Sequence, residues 1–263
     1  MFFSIYLLIG AFSGFLAGLL GLGGGVIVVP ALAAAFASFN VMPASYIMQM
    51  AVGTSLSTII ITFIASLYAH IKRGSVRWDI VKLILPAILL GVIIGTNLAG
   101  YLPSHYLQII FALFLLFIAY RLFSGNLAPT PGQTPSRLVM SSFASFVGAL
   151  SGILGVGGGL LLIPFLIRCG MDMRQATGTS VACGMFIGII ASISFMLLGQ
   201  AHLSLPWSTG FIYWPAFLGI AAASIVFAPI GTALAYKLPT AVLKRALAIF
   251  LVIVAILMLI QTR

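Results

Sequence analysis

Residues Gly10–Gly25 read GAFSGFLAGLLGLGGG and run directly into the apolar stretch VIVVPALAAAF, Val26–Phe36. Gly10, Gly14 and Gly18 fall four apart. An apolar helix here would therefore present one face without side chains, along which another helix can come close, as small-residue patterns do in bilayers. Gly21, Gly23, Gly24 and Gly25 then crowd together, where a helix is poorly favoured because glycine loses the most backbone freedom on ordering. The expectation is a helix that breaks at these glycines and restarts toward Pro30. The same unit returns as GALSGILGVGGGLLLIPFL over Gly148–Leu166, so that Gly21, Gly25 and Pro30 meet Gly155, Gly159 and Pro164 at a constant shift of 134. Two broken apolar helices at matching places in two halves point to a binding site inside a membrane protein.

Composition restricts the alternatives. Of 263 residues, 62% are apolar and 5% charged, with a mean hydropathy of +1.27, whereas a soluble domain carries about 25% charged residues. The apolar runs are continuous rather than alternating, which argues against a β-barrel and for an all-α polytopic membrane protein. The net charge of +10 comes from 12 Lys and Arg against Asp79 and Asp172. These basic residues are scattered through short loops instead of gathered into an aromatic-laced patch, so they read as an orientation signal and not as a nucleic-acid surface. Cys169 and Cys183 have no metal-ligand spacing, and neither a metal nor a cofactor is expected. The opening MFFSIYLLIG lacks the basic start of a signal peptide and leads straight into the first glycine unit, so it is kept as mature structure.

Taken in order, residues 2–38 hold the first broken unit, with arms to about Leu20 and from Val26 to Phe39. A turn at NVMP, Asn40–Pro43, precedes a long span over Tyr46–His70, which carries Gly53, Thr54 and Ser55 near its start and Thr58 and Thr62 further along one face. Spans over Leu83–Leu102 and Tyr106–Phe123 follow, each long enough for a hydrocarbon layer of about 30 Å. The proline-rich SGNLAPTPGQTPSR, 124–137, divides the chain into repeats at 1–123 and 138–263. In the second half, a broken unit to Ile167 is followed by ATGTSVACGMFIGIIASISFMLL and by spans over Phe211–Ala235 and Ala241–Ile260. Gly178, Thr179 and Ser180 match Gly53, Thr54 and Ser55 at a shift of 125, Pro215 is paired with Pro86, and GTALAYKLP matches GTNLAGYLP at a shift of 136. The landmarks keep one order with differing loop lengths, the pattern of a duplication.

Charge arithmetic then selects a topology. If each glycine unit crossed as one ordinary helix, the basic residues would divide seven to five between the faces. If each glycine break turns the chain back to the face it came from, the loops at 71–82, 121–137, 168–174 and 237–245 share one face and hold eleven Lys and Arg, leaving Arg263 alone opposite. Cytoplasmic loops are the basic ones. Each half thus reads as a helical hairpin followed by three spans, the halves inverted relative to one another as in secondary transporters, with both termini outside the cytoplasmic (inner) membrane.

A helix that begins after a glycine turn has free backbone N–H groups in its first turn, and its dipole favours an anion there. The candidate substrate-binding residues are therefore Gly21, Gly23, Gly24, Gly25, Gly155, Gly157, Gly158 and Gly159, with the hydroxyls of Thr54, Ser55, Thr179 and Ser180 completing an uncharged cage. Thr58, His70, Asn97 and His202 are secondary or gating candidates. Plain alternatives stand beside these assignments: glycine runs permit close packing, and Thr or Ser in a membrane helix often bonds its own helix. GLGGG is not a dinucleotide fingerprint, having no preceding strand and no acidic residue about twenty positions on, and it lacks the Lys-Ser/Thr of a P-loop. Asp79 and Asp172 read as loop residues, so a carboxylate relay within the spans has no support. An anion leaving the cell needs no coupling ion, since an inside-negative potential supplies about 2.3 kcal/mol per charge per 100 mV.

The paired segments GLGGGVIVVPAL and GVGGGLLLIPFL, each followed by a Gly-Thr-Ser triplet, resemble the TauE/SafE family of sulfite exporters, also called TSUP, over nearly the whole chain. The resemblance implies transport of sulfite, thiosulfate, sulfoacetate or other sulfur-containing or organic anions, and some members are implicated in uptake. A small anionic substrate and membrane lipid are the expected partners, with no nucleic acid and a monomeric or weakly dimeric state. An anion channel, a membrane enzyme and a purely structural protein remain rival readings. The first is separated by single-channel current, the second by a nucleophile or acid/base pair at a common depth, which this sequence does not offer, and the third by absence of flux.

Overall fold

The computed structural model describes residues 2–20, 24–39, 41–124, 135–200, 205–235 and 240–261. Gly21, Gly23, Asn40, His202 and most of the proline-rich segment lie outside these residues. Ten α-helices are present among them: α1 (Phe2–Leu20), α2 (Gly25–Ser38), α3 (Ile47–Lys72), α4 (Trp78–Tyr101), α5 (Ser104–Ser124), α6 (Arg137–Leu154), α7 (Gly159–Arg168), α8 (Met173–Gln200), α9 (Trp214–Ala235) and α10 (Thr240–Gln261). A 3-10 turn, Ala44–Tyr46, leads into α3, and two short antiparallel strands, β1 (Ser208–Thr209) and β2 (Ile212–Tyr213), precede α9. Six of the helices, α3, α4, α5, α6, α8 and α9, are long and apolar enough to cross a membrane. The molecule is an all-α multi-pass membrane protein. Its outer surface bears Leu8, Leu90, Ile94 and Leu197, each more than 60% exposed, as expected of side chains that hydrocarbon covers.

The longest helices, α3 and α8, cross at the centre. Ser57 Oγ donates to Ser192 Oγ at 3.0 Å, and Gly188 lets α8 lie against the Leu56 carbonyl and Ile60 of α3. Around them the helices pair across the sequence halves. Along α1, a Cβ on Gly10 would sit 2.6 Å from the Ile220 Cα of α9, and one on Gly14 would sit 2.5 Å from the Ser224 Cα. On α6, Gly148 and Gly152 approach Ile88 and Val92 of α4 in the same manner, and α4 answers with Gly91 and Gly95 against Ser145 and Ala149. Without a hydrophobic difference between lipid and protein, such helix pairs are held by close van der Waals contact. α5 packs on α10, where Gln108 Nε2 donates to the Met258 carbonyl at 2.8 Å.

Two boundaries that bear on the repeat differ from the sequence expectation. Helix α4 starts at Trp78 instead of Leu83: Asp79 and Lys82 belong to it, with Asp79 in the first turn where its charge complements the helix dipole. Pro86 consequently stands in the third turn, and its missing N–H leaves the carbonyl of exposed Lys82 without a helical donor. Phe211–Tyr213 lie in the strand pair and its turn rather than in α9, since the Phe211 N–H donates to the Phe195 carbonyl at 3.0 Å. Pro215 then occupies the second position of α9, where a missing N–H costs nothing. Gly14 meets Ser224 just as Gly148 meets Ile88, so the shift of 136 runs the length of α4 and α9. The pairing of Pro86 with Pro215 is thereby corrected: Pro215 corresponds to Asp79.

Candidate functional site

The second glycine break is held open by two left-handed residues. Gly155 ends α6 at φ 70°, and Gly158 precedes α7 at φ 73°, a backbone region that side chains disfavour. The N–H groups of Gly155 and Val156 return to the Ser151 carbonyl, which closes α6. At the start of α7, Leu161 and Leu162 donate to the Gly158 carbonyl at 3.2 and 3.0 Å. No acceptor among the described residues faces the N–H groups of Gly159 and Leu160. These are two of the orphan donors that any helix start leaves.

At the first break, Gly24 has ordinary helical angles, φ −68°, and Gly25 opens α2. The two breaks touch, because a Cβ on Gly25 would strike the Gly155 carbonyl and sit 2.9 Å from Ile59 Cδ1. Ser55 Oγ donates to that same Gly155 carbonyl at 3.0 Å. Ser180, its repeat counterpart, is 2% exposed, and its hydroxyl has no hydrogen-bond partner among the described residues. Gly157 and Gly184 close around the ring of Phe63, and a small cavity of about 10 Å³ lies beside Gly158 and Ser151, room for roughly one water.

The two Gly-Thr-Ser triplets do the same work at opposite ends of the crossing pair. In α3, Gly53 leaves room for the Phe211 carbonyl, and Thr54 Oγ1 accepts the Tyr213 N–H at 3.0 Å, so the segment leading into α9 is fastened over α3. In α8, Gly178 leaves room for the Ser75 carbonyl, and Thr179 Oγ1 accepts the Arg77 N–H at 3.1 Å, fastening the segment that leads into α4. Ser75 is secured in turn by His70, whose carbonyl accepts the Ser75 hydroxyl at 3.1 Å and whose Nδ1 lies 2.9 Å from it. Phe211 and Tyr213 stand 136 positions beyond Ser75 and Arg77. This is the shift visible in the GTNLAGYLP and GTALAYKLP motifs, so Arg77 and Tyr213 could have been found by carrying that shift back along the chain.

The structure therefore brings Gly25, Ser55, Gly155, Gly157, Gly158 and Gly159 to one centre, with Gly24 at its edge. Thr54, Thr179 and His70 hold the two flanking segments. Thr58 Oγ1 donates to the Ser55 carbonyl at 2.7 Å, within its own helix. Asn97 likewise donates to the Ile93 carbonyl of α4 at 2.8 Å, at a partly exposed position. Neither is drawn into the centre by a bond of its own.

Chemically the centre offers, among the described residues, amide N–H groups and hydroxyls and no carboxylate, amine or guanidinium. Such a set can replace the hydration of an anion without burying a fixed counter-charge, whose desolvation would be costly. Gly158→Ala forces a side chain into the left-handed region, at a cost of about 1–2 kcal/mol, and its Cβ would press on Ile187 Cδ1 at 3.0 Å. Gly24→Ala finds its nearest neighbour, Val28 Cγ2, at 3.7 Å. Thermal unfolding should show Gly158→Ala clearly destabilised and Gly24→Ala near wild type. Equal effects would contradict the difference in backbone between Gly24 and Gly158.

Comparison with known proteins gives a consistent set of likenesses. A protein-family profile described as sulfite exporter TauE/SafE matches residues 6–258. A probable membrane transporter protein of Haemophilus influenzae is 38% identical over 264 residues, covering 99% of both chains. Proteins given the same description are 25% identical in Methanocaldococcus jannaschii, over 86% of this chain and 81% of that one, and 30% identical in Xylella fastidiosa, over 71% of each. No solved structure matches this chain.

Proposed function

Because this chain belongs to the sulfite exporter TauE/SafE family, and is on that ground a membrane transporter and not an enzyme, we propose that it carries sulfite or a related sulfur-containing or organic anion outward by alternating access. The observation that carries this reading is the repeated latch. Thr54 holds the segment before α9 at one end of the α3–α8 pair, and Thr179 holds the segment before α4 at the other, so two gates of one design flank one centre. Opening them in turn would expose the amide N–H groups of α7 and the hydroxyls of Ser55 and Ser180 to each side successively.

The same contacts support the inverted arrangement of the halves. The basic segment before α4 meets the first turns of α8, so the loops at 71–82 and 168–174 share an end of the bundle, as expected if the glycine units are hairpins. Ring contacts between Tyr6 and Phe36 at 6.4 Å, and between Phe143 and Phe165 at 4.1 Å, join the start of each first arm to the far part of its second arm. The basic end is assigned to the cytoplasm of an inner membrane, and both termini to the outside. An inside-negative potential then drives the anion out.

Flux of sulfite and thiosulfate in proteoliposomes, with sulfate, acetate and sulfoacetate for comparison and the potential clamped at several values, tests the proposal. Saturable flux that grows with inside-negative potential is expected for one class of anion. Unitary channel currents, or no movement of any of these anions through demonstrably folded protein, would refute it.

A further inference from the structure

A groove opens where the last helix of the first half meets the glycine-broken unit of the second. It lies between α5, α6 and α7, has a volume of about 440 Å³, and is walled by Leu113, Phe114 and Phe117 of α5, Phe143 and Phe146 of α6, and Phe165 of α7. That volume falls in the range of about 300–1,000 Å³ usual for small-molecule sites. Phe143 and Phe165 stack with their ring centroids 4.1 Å apart. Leu113, Phe117 and Phe146 are about half exposed, so the flank of the groove opens where hydrocarbon surrounds the protein. Its lining also includes Arg121 and Arg168, which stand in the last turns of α5 and α7.

Among the described residues, neither guanidinium has an ion-pair partner. The ion pair formed among them is Arg77 with Asp79, and Asp172 accepts the Gln175 N–H as a helix cap. The repeat shows that the basic pair is not part of the duplicated machinery. At the shift of 134, Phe143, Phe165 and Arg168 correspond to Ile9, Ala31 and Ala34, and at the shift of 136 Arg121 corresponds to Leu257. A feature required by both gates would recur; this one is confined to the basic end of the molecule.

We propose that the groove binds an anionic phospholipid, with one acyl chain along the phenylalanine wall and the phosphodiester held by Arg121 and Arg168. Basic pockets between membrane helices at a cytoplasmic face recognise phospholipid headgroups in this way. The aromatic wall fits an acyl chain and gives a small inorganic oxyanion nothing to bond. The proposal rests on the chain spanning a membrane with its basic loops at one end. It does not depend on which anion is transported, so a failed flux assay would leave it standing.

The test uses full-length protein, delipidated in a neutral detergent and titrated with phosphatidylglycerol, with phosphatidylcholine of the same chains, and with inorganic phosphate, bound lipid being counted by native mass spectrometry. One phosphatidylglycerol should bind roughly thirty-fold more tightly than phosphatidylcholine, the factor that two basic side chains at a membrane surface supply. The double variant Arg121→Gln/Arg168→Gln should lose that preference, while Arg137→Gln, at the same end but outside the groove, should keep it. In a second measurement with both arginines intact, Phe117→Trp fluorescence should be quenched by phosphatidylglycerol with brominated chains. Equal binding of the two lipids, a preference that survives the double substitution, absence of quenching, or displacement by inorganic phosphate at equimolar concentration would each overturn the proposal.

Discussion

Thr54→Val and Thr179→Val should tip the transporter in opposite directions. Each substitution keeps the shape of the side chain and removes the oxygen that accepts a backbone N–H, that of Tyr213 in one case and Arg77 in the other. Both threonines are fully buried, and an unsatisfied buried donor costs about 1–3 kcal/mol. The latched arrangement at that end should therefore lose ground by roughly 5- to 150-fold against the open one. The chain carries its own reporter for one end, since Cys183 lies one turn beyond Thr179 and is completely buried. In a Cys169→Ser background, Thr179→Val should expose Cys183 to a thiol reagent applied from the basic end. Thr58→Cys, with Cys183→Ala, reports on the other end and should respond to Thr54→Val. Serine at either position keeps the acceptor and should restore protection. Increased labelling at the same end in both variants, or at neither, would dispose of the two-gate scheme.

The second large effect is on folding. Gly148→Ala places a methyl group against the Ile88 carbonyl, and Gly95→Ala does the same against the Ala149 carbonyl. Backbone cannot step aside as a side chain does, so α4 and α6 would have to separate. Overpacking of this kind costs about 1–3 kcal/mol, which for a chain of this size corresponds to a fall in unfolding temperature of roughly 2–12 °C. Gly100→Ala is the control on the same helix: its Cβ would meet the flexible end of Leu198 at 3.0 Å and should cost little. A Gly100 variant as unstable as the other two would mean that helix propensity, and not helix approach, decides the outcome.

Much of this was legible in the residues because it is local. Glycine clusters mark breaks wherever they occur in an apolar run, and the α2 and α7 starts at Gly25 and Gly159 fall where the doubled motif puts them. Span lengths follow from apolar runs in the same direct way. Boundaries at the membrane edge were less legible: Asp79 and Lys82 look like loop residues, yet they fit the first turn of a helix at a polar face. The strand pair before α9 escaped because Phe211 is ordered by the end of α8, through a bond to Phe195 that no local pattern announces. The threonine latches were hidden for a related reason. Arg77 and Thr179 are 102 residues apart, and Thr54 and Tyr213 are 159 apart. The triplets could be recognised as special, but what their hydroxyls hold is a property of the assembled bundle. Among the expected site residues, Gly21, Gly23 and His202 lie outside the described residues, and Asn97, a secondary or gating candidate, bonds within α4.

The cross-pairing of α1 with α9 and of α6 with α4 also sets an order of events during synthesis. The side-chain-free face of α1 fits Ile220 and Ser224, about 210 residues further along the chain. At a translation rate of about 5–20 residues per second, with domains completed as units while the chain emerges, α1 waits some ten to forty seconds for its partner. Helix α6, by contrast, emerges after α4 and can dock at once. The later half therefore has a finished surface to assemble upon, whereas α1 must stay in the membrane with its glycine face covered by lipid or by an insertion factor until α9 has emerged.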